Sequence, residues 1–249
     1  MVRITEQVIT GQDSRPAVEL RQTVTKKGEF TLSADGIFEP GVHLITGRVG
    51  SGKTSLGELL AGIITPDKGE VIWKGRSRVM LLQDASYHIT TTTVREEAAS
   101  WKGDPATVIP LAGLSGKEDT DLLFLSRGEL KRLMLASILT RASDLVVLDE
   151  PYAGLDTQAR GLVTGLISGS DTRVIVLISH DITSLPAVSW LWEMKEGKLS
   201  CIGKIPKALA DWEDPPLIIR YLKERGVMPA GLSHDDLEEA ACRIHESDY

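Results

Sequence analysis

Eight residues in the first quarter of the chain, GRVGSGKT from Gly47 to Thr54, leave few folds open to it. They match G-x-x-x-x-G-K-[ST], a pattern whose glycines let backbone N–H groups curl around an anion without Cβ clashes. An apolar, β-branched run at residues 42–46 precedes the loop, and residues 55–63 after it are typical of a helix. A strand, this loop and a helix form a phosphate-binding unit of an α/β fold, because the helix N-terminus adds partial positive charge.

The loop predicts a nucleoside triphosphate as ligand, together with a metal ion. Lys53 can reach the β- and γ-phosphates, and the Thr54 hydroxyl is suited to ligate Mg²⁺. The residues expected to contact the nucleotide are Gly47, Arg48, Val49, Gly50, Ser51, Gly52, Lys53, Thr54 and Ser55.

Composition disfavours several other classes of protein. The formal net charge is −7, from 28 Lys and Arg against 35 Asp and Glu, which argues against a non-specific nucleic-acid binder, since such binding depends on basic residues. No stretch reaches the ~20 apolar residues of a membrane helix, and residues 1–16 lack the apolar core of a signal peptide. Cys201 and Cys242 are too few for a disulfide scaffold. We expect a cytoplasmic protein that does not span a bilayer and does not bind nucleic acid.

The hydrophobic pattern predicts a mostly parallel central sheet. Strand-sized runs that are apolar on both faces alternate with helical stretches, as in sheets covered on both sides. Residues 18–24 and 30–38 alternate apolar and polar side chains and predict an antiparallel β subdomain. A later pair, 188–194 and 198–202, is joined by Glu196-Gly197 and predicts a hairpin. The central runs lie at residues 42–46, 79–82, 145–148 and 174–179.

Two adjacent acids, Asp149 and Glu150, end the apolar run at 145–148. A buried strand rarely ends in two adjacent carboxylates unless these bind a cation or take part in proton transfer. Asp149 is suited to hold Mg²⁺ through a bound water, and Glu150 to polarise the water that attacks the γ-phosphate. The sequence therefore predicts a catalytic carboxylate beside the phosphate loop.

Four further segments resemble motifs of the ATP-binding cassette (ABC) ATPases, in that family's order. Leu125-Ser126-Arg127-Gly128-Glu129 resembles the signature Leu-Ser-Gly-Gly-Gln. Gln83 resembles the Q-loop glutamine, Ala153-Gly154-Leu155-Asp156 the D-loop, and His180 the switch histidine. The resemblance, which covers roughly residues 41–203, implies a P-loop ABC fold that binds and hydrolyses ATP, with a helical signature subdomain at about 84–140.

The resemblance also implies roles within one subunit. His180 would contact the γ-phosphate and position the attacking water with Glu150, while Lys53 binds the phosphates. Gln83 would join Thr54 and Asp149 near Mg²⁺.

Other roles implied by the resemblance need two subunits. Two cassettes pair head-to-tail and hold two ATP molecules between them. Ser126 and the backbone of Gly128 would contact the γ-phosphate bound by the second subunit, at the N-terminus of their helix. Hydrolysis would then remove part of the dimer interface.

The chain departs from the family pattern at two places. Arg127 stands where the first signature glycine is usual, and Glu129 where the glutamine is usual. No Phe, Tyr or Trp precedes Phe30, which is expected in a core strand, so the aromatic residue that usually stacks on adenine is missing. We expect loose base selectivity, with little preference for ATP over GTP.

One group within the family matches more of the chain. Residues 83–89 and 93–97 resemble, at the same spacing, the stretch after the Q-loop glutamine in ATPases of energy-coupling-factor (ECF) transporters, which import vitamins or transition-metal ions. By that resemblance, the segment from Gln83 to Glu97 would grip a membrane subunit, and the ATPase would sit at the inner face of the cell membrane. Residues 203–206 and 222–229 resemble the C-terminal extension of that group. We expect an ABC nucleotide-binding domain at 1–205 and a helical extension at 206–249.

Two alternatives stay open. Glu129 with Lys131-Arg132 resembles the cassette of the iron–sulfur cluster assembly machinery, an ABC ATPase that transports nothing and acts on soluble partners. The second cassette could be another copy of this chain or a paralogous subunit. The transported substrate does not follow from the sequence.

Overall fold

The structure, a computed structural model, describes residues 15–168, 172–182 and 184–247, with side chains up to residue 244. The strands are β1 (Ala17–Lys27), β2 (Phe30–Phe38), β3 (Gly41–Thr46), β4 (Lys68–Lys74), β5 (Arg78–Leu81), β6 (Leu145–Asp149), β7 (Val174–Ile178), β8 (Trp190–Lys195) and β9 (Lys198–Lys204). The α-helices are α1 (Lys53–Leu60), α2 (Val94–Ser100), α3 (Pro105–Leu111), α4 (Arg127–Thr140), α5 (Thr157–Ile167), α6 (Lys207–Asp211), α7 (Leu217–Glu224) and α8 (His234–Ser247). Two 3₁₀ turns cover Ala85–His88 and Leu122–Phe124.

The nine strands form one sheet in the order β4-β1-β2-β9-β8-β3-β7-β6-β5. From β8 to β5 the neighbours run parallel, so the carboxyl ends of β3, β5, β6 and β7 meet at one edge. β1 pairs antiparallel with both β2 and β4. The α/β fold with a mostly parallel sheet and an antiparallel β subdomain is thus confirmed.

Side chains of the central strands fill two cores on opposite sides of the sheet. Every residue of β6 and β7 is buried, which explains their unbroken apolar runs. In β6, Val146 and Leu148 pack on the side that carries α4 and α5, while Leu145 and Val147 pack on the side that carries α1. The expected two-sided burial is therefore present.

The helices after the sheet pack onto the same core. Trp212, Ile219 and Leu222 are buried with the residues of α4 and α5, and Leu237 of α8 joins them. Short helices were expected beyond residue 216, and α7 and α8 lie there. No described helix is long and apolar enough to cross a membrane.

Three details differ from the sequence-based expectation. β4 carries no alternating pattern, since none of its residues is fully buried, and it was not predicted. β1 continues to Lys27 past a register shift between Leu20 and Thr23, where Gln22 has a φ of 45°. β8 begins at Trp190 rather than at residue 188. In each case pairing with a neighbouring strand, rather than local composition, sets the boundary.

His43 gives the fold a pH dependence. Its ring is fully buried in β3, where Nδ1 accepts from Trp192 Nε1 (3.0 Å) and Nε2 donates to the Glu39 carbonyl (2.7 Å). Burial lowers the pKa of His43 from 6.5 to about 4. The unfolded chain therefore binds the proton more readily below pH 6.5, and the free energy of unfolding should fall by about 3 kcal/mol as the pH drops from 7 to 4.

Urea unfolding of the wild type and of His43→Gln at several pH values checks this expectation. The difference in unfolding free energy between the two proteins should shrink below pH 6.5. Parallel curves over the whole range would contradict the assignment.

Candidate active site

The predicted motifs meet at the carboxyl edge of the parallel strands. The phosphate loop follows β3, Gln83 lies two residues beyond β5, Glu150 follows β6, and His180 lies two residues beyond β7. β3, β7, β6 and β5 are consecutive neighbours in the sheet, so segments distant in sequence come together there. Ligands of open α/β sheets bind at this edge.

The phosphate loop is held by the β8–β9 hairpin, whose two-residue turn is Glu196-Gly197 as predicted. Gly197 N–H donates to the Ser51 carbonyl (3.2 Å). Gly47 has a φ of 143°, and a Cβ there would collide with the Met194 carbonyl. Glycine at position 47 is therefore required by both backbone conformation and space.

Polar groups of the loop point to an anionic ligand. Lys53 Nζ donates to the carbonyls of Gly47 (2.7 Å) and Arg48 (2.9 Å), and burial lowers its pKa against the opposing pull of Glu150 and Asp149. The Ser51 hydroxyl is buried without a hydrogen-bond partner among the described residues. A phosphate oxygen would satisfy the Ser51 hydroxyl.

Thr54 and Asp149 lie in direct contact. The Thr54 hydroxyl, on the first turn of α1, donates to Asp149 Oδ2 (2.6 Å). Asp149 is buried at the end of β6, and this burial raises its pKa. A hydroxyl and a buried carboxylate beside a phosphate loop are oxygen ligands of the kind Mg²⁺ prefers, so these residues fit the metal.

Glu150 and His180 form a second pair. His180 Nδ1 lies 2.6 Å from Glu150 Oε1, and the Ser179 hydroxyl lies 3.5 Å from Glu150 Oε2. Glu150 takes a positive φ of 49°, and its N–H donates to the Ile178 carbonyl (2.8 Å). Glu150 is largely buried, whereas the His180 side chain is exposed, so the pair faces outward from the sheet edge.

A buried lysine on α4 supports this turn, and sequence reasoning gave it no role in the site. Lys131 is 5% exposed, and its Nζ donates to the carbonyls of Glu150 (2.6 Å) and Ala153 (3.1 Å). Burial lowers the pKa of Lys131, while Glu150 and Asp149 oppose the shift. The only signal in the sequence is a lysine between Leu130 and the apolar run that begins at Leu133.

The signature segment lies at the N-terminus of α4. Ser126 caps this helix, and its hydroxyl and N–H both donate to Glu129 Oε2 (2.8 and 2.9 Å). Lys117 pairs with the same carboxylate (2.5 Å); this bond first, and the two from Ser126 next, lower the pKa of Glu129 to about 2. Glu129, a departure from the family pattern, thus orients Ser126 through a capping box. Arg127 is exposed.

Gln83 and Ser126 are not bonded to the other predicted site residues in the described part of the chain. Gln83 is exposed beyond β5, and Ser126 is exposed on α4. No hydrogen bond or ion pair between described residues joins either of them to the phosphate loop or to the Asp149–Glu150 turn. Gly128 lies close to the segment after Glu150, since a Cβ there would be 3.5 Å from the Gly154 carbonyl.

A cavity of about 460 Å³ opens beside the phosphate loop. It is lined by residues 46–51, by residues 193–196 of the β8–β9 hairpin and by Asp214. None of these residues is aromatic. Phe30 lies in β2 as expected, partly buried, with its ring against Gly52.

A parallel sheet that gathers a phosphate loop, two carboxylates and a histidine at one edge defines a P-loop ATPase. The chain belongs to the ABC transporter family, whose model matches residues 36–153. It is 30% identical over 164 residues to the cytochrome c biogenesis ATP-binding export protein CcmA of Dechloromonas aromatica, covering 57% of this chain and 80% of that one. It is 27% identical over 228 residues to the energy-coupling factor transporter ATP-binding protein EcfA2 of Thermotoga maritima, covering 80% of this chain and 86% of that one.

A solved structure shares the fold. CbiO1 from Clostridium perfringens, part of the ABC transporter complex CbiONQ, superposes with a TM-score of 0.61 at 21% identity, over 78% of this chain and 90% of that chain. The resemblance to ABC ATPases seen in the sequence is confirmed. The chain is an ATP-binding protein of the ABC transporter family and an ATPase.

Proposed function

We propose that this chain is the ATPase of an ECF-type importer for a metal ion or a vitamin, at the cytoplasmic face of the cell membrane. The similarity to EcfA2 over 80% of the chain supports this assignment. So does the ECF-like stretch from Gln83 to Glu97. Separate membrane subunits would carry the substrate, and the cassette would power them.

The observation that carries the catalytic proposal is the contact between Glu150 and His180. Glu150 accepts the proton of the attacking water. His180 holds the Glu150 carboxylate in place, and the same His180 side chain contacts the γ-phosphate. Lys131 fixes the backbone of this turn, because its Nζ donates to the Glu150 carbonyl. Lys53 and the loop N–H groups bind the phosphates.

Mg²⁺ would be held by Thr54 and Asp149, with Gln83 as a third contact. The ion would neutralise charge on the phosphate oxygens. The contact between the Thr54 hydroxyl and the Asp149 carboxylate keeps the two groups together beside the phosphate loop, where Thr54 would ligate the ion directly and Asp149 through a bound water.

The functional unit would be a dimer of cassettes, homomeric or with a paralogous subunit. Ser126, the N-cap of α4, and Gly128 in its first turn would act on the nucleotide of the second cassette. The capping box with Glu129 keeps Ser126 at the helix N-terminus, where backbone N–H groups favour an anion.

The segment from Gln83 to Glu97 would form the docking surface for the membrane subunit. Glu97 is fully buried and accepts from the N–H groups of Thr90 and Thr91 (both 3.0 Å) and from Trp101 Nε1 (3.0 Å). These bonds hold the loop in one conformation, while Tyr87 stays 75% exposed on its surface. A rigid segment with an exposed aromatic ring is suited to bind an amphipathic helix of the membrane subunit.

We also propose the division into a nucleotide-binding domain at 1–205, with a helical part at about 84–140, and an extension at 206–249. The two would not be independent folding units, because Trp212 and Ile219 share the core of α4 and α5.

A second candidate is an ABC ATPase that acts on soluble partners, such as an iron–sulfur cluster assembly cassette. The resemblance of Glu129 with Lys131-Arg132 to that cassette favours it.

Affinity purification of the tagged chain from native membranes separates the two candidates. The ECF proposal predicts co-purification of a polytopic membrane protein that depends on detergent, and its loss in the variant Tyr87→Asp. The control Tyr221→Asp, on the extension, should keep the complex. Recovery of soluble partners alone, with no membrane protein, would favour the assembly cassette.

A further inference from the structure

Most aromatic side chains in the described part of the chain are engaged in packing. Of those in the described part of the chain, only Tyr87 and Phe124 are more than half exposed, at 75% and 82%. The others are buried, partly buried or, at Tyr221, covered by the Arg225 guanidinium. The chain therefore offers few rings to a nucleotide base.

Phe124 occupies a distinctive place. It ends the 3₁₀ turn Leu122–Phe124 beside Leu123, which is 83% exposed, and stands two residues before Ser126. Single exposed apolar residues are common on protein surfaces. Leu123 and Phe124, however, are consecutive and precede a capped helix N-terminus that is proposed to face a nucleotide. Their position points to a ligand that covers this surface.

We propose that Phe124 stacks on the base of the nucleotide bound by the phosphate loop of the partner cassette. The inference deepens the proposed function and rests on its head-to-tail dimer. It assigns a base-binding residue where the chain's own phosphate loop provides none, because Phe30 packs against Gly52 and the cavity beside the loop has no aromatic lining.

The backbone geometry supports the reach that this assignment needs. Leu125 (φ −75°, ψ 141°) and Ser126 (φ −63°, ψ 159°) are both extended. Two extended residues separate Phe124 from Ser126 by about 7 Å, and the ring extends farther. In a triphosphate whose γ-phosphate meets Ser126, the base lies along the same ligand, beyond two phosphates and the ribose.

The chemistry of the contact predicts its selectivity. Stacking depends on the π-face, which every base has, so Phe124 would favour large purines over pyrimidines while distinguishing ATP poorly from GTP. This selectivity agrees with the loose preference between ATP and GTP expected from the sequence.

Fluorescence of 1,N6-ethenoadenosine triphosphate tests the stacking in the Glu150→Gln background. Binding should quench the probe, and adding Phe124→Leu should remove the quench and weaken binding about tenfold. The control Tyr221→Leu, which removes an exposed ring on the extension, should leave the quench unchanged. Equal quench and affinity with and without Phe124 would overturn the inference. Dimer formation on ATP, followed separately by size-exclusion chromatography, reports on the proposed function itself.

Mixed dimers isolated with two different tags test whether the contact is made between subunits. When a Lys53→Ala chain that keeps Phe124 pairs with a Phe124→Leu chain that keeps Lys53, the bound probe should be quenched. When Lys53→Ala and Phe124→Leu are placed on one chain and the other is unchanged, the quench should disappear. The reverse result would place Phe124 on its own chain's nucleotide and contradict the proposal.

Discussion

Replacing Glu150 with glutamine should lower ATP turnover by at least a hundredfold and leave a stable ATP-bound dimer. A positioned general base contributes about 10²- to 10⁴-fold to a rate, and glutamine cannot accept the proton. The amide keeps the size of the side chain and can still contact His180 Nδ1. The backbone bond from Lys131 Nζ to the Glu150 carbonyl is unaffected by the change. Nucleotide binding should therefore persist.

Phosphate release under saturating ATP and size-exclusion chromatography with and without ATP measure the two effects. Glu213→Gln, an exposed carboxylate outside the site, serves as the matched control and should keep turnover within about twofold. If Glu150→Gln hydrolyses ATP at the wild-type rate, the water is activated by another group and the assignment of the base is wrong.

Mixing two inactive variants should restore activity. Lys53→Ala removes the cation that binds the phosphates, and Ser126→Arg fills the space that the signature offers to the partner's nucleotide. In a mixed dimer, one site keeps both Lys53 and Ser126. Random pairing makes half of the dimers mixed, each with one intact site, so the mixture should recover about a quarter of the wild-type rate.

Ser126 also caps α4, and its loss costs about 1 kcal/mol of stability. Thermal unfolding of Ser126→Arg therefore accompanies the activity assay. If both variants are folded and the mixture remains inactive, the nucleotide is not shared between Lys53 of one chain and Ser126 of another.

Much of the site is readable from short segments, because each motif performs its chemistry through local geometry. The loop from Gly47 to Thr54 needs its glycines for a backbone turn around an anion, and the strand before Asp149 is recognisable from its apolar run. The Glu196-Gly197 hairpin is equally local, since both residues take positive φ values (48° and 79°) in a two-residue turn.

Other features depend on contacts with residues far away in the sequence, and no local sequence pattern predicts them. β4 exists because it pairs with β1, some fifty residues earlier, although its own residues are at most half-buried. Lys131 has its role only because α4 packs beside the turn after β6. The exposure of Phe124 could not be inferred from an apolar residue that sequence reasoning would assign to a core.

The amino-acid order alone carries the resemblance to the ABC family, and its spacing and local backbone preferences predict the α/β class and the residue types that bind phosphate. Folding adds the contacts between Thr54 and Asp149 and between Glu150 and His180, whereas Ser126 makes no hydrogen bond to its own phosphate loop among the described residues. The reason is the parallel sheet, because it brings the ends of strands that are distant in sequence to one edge.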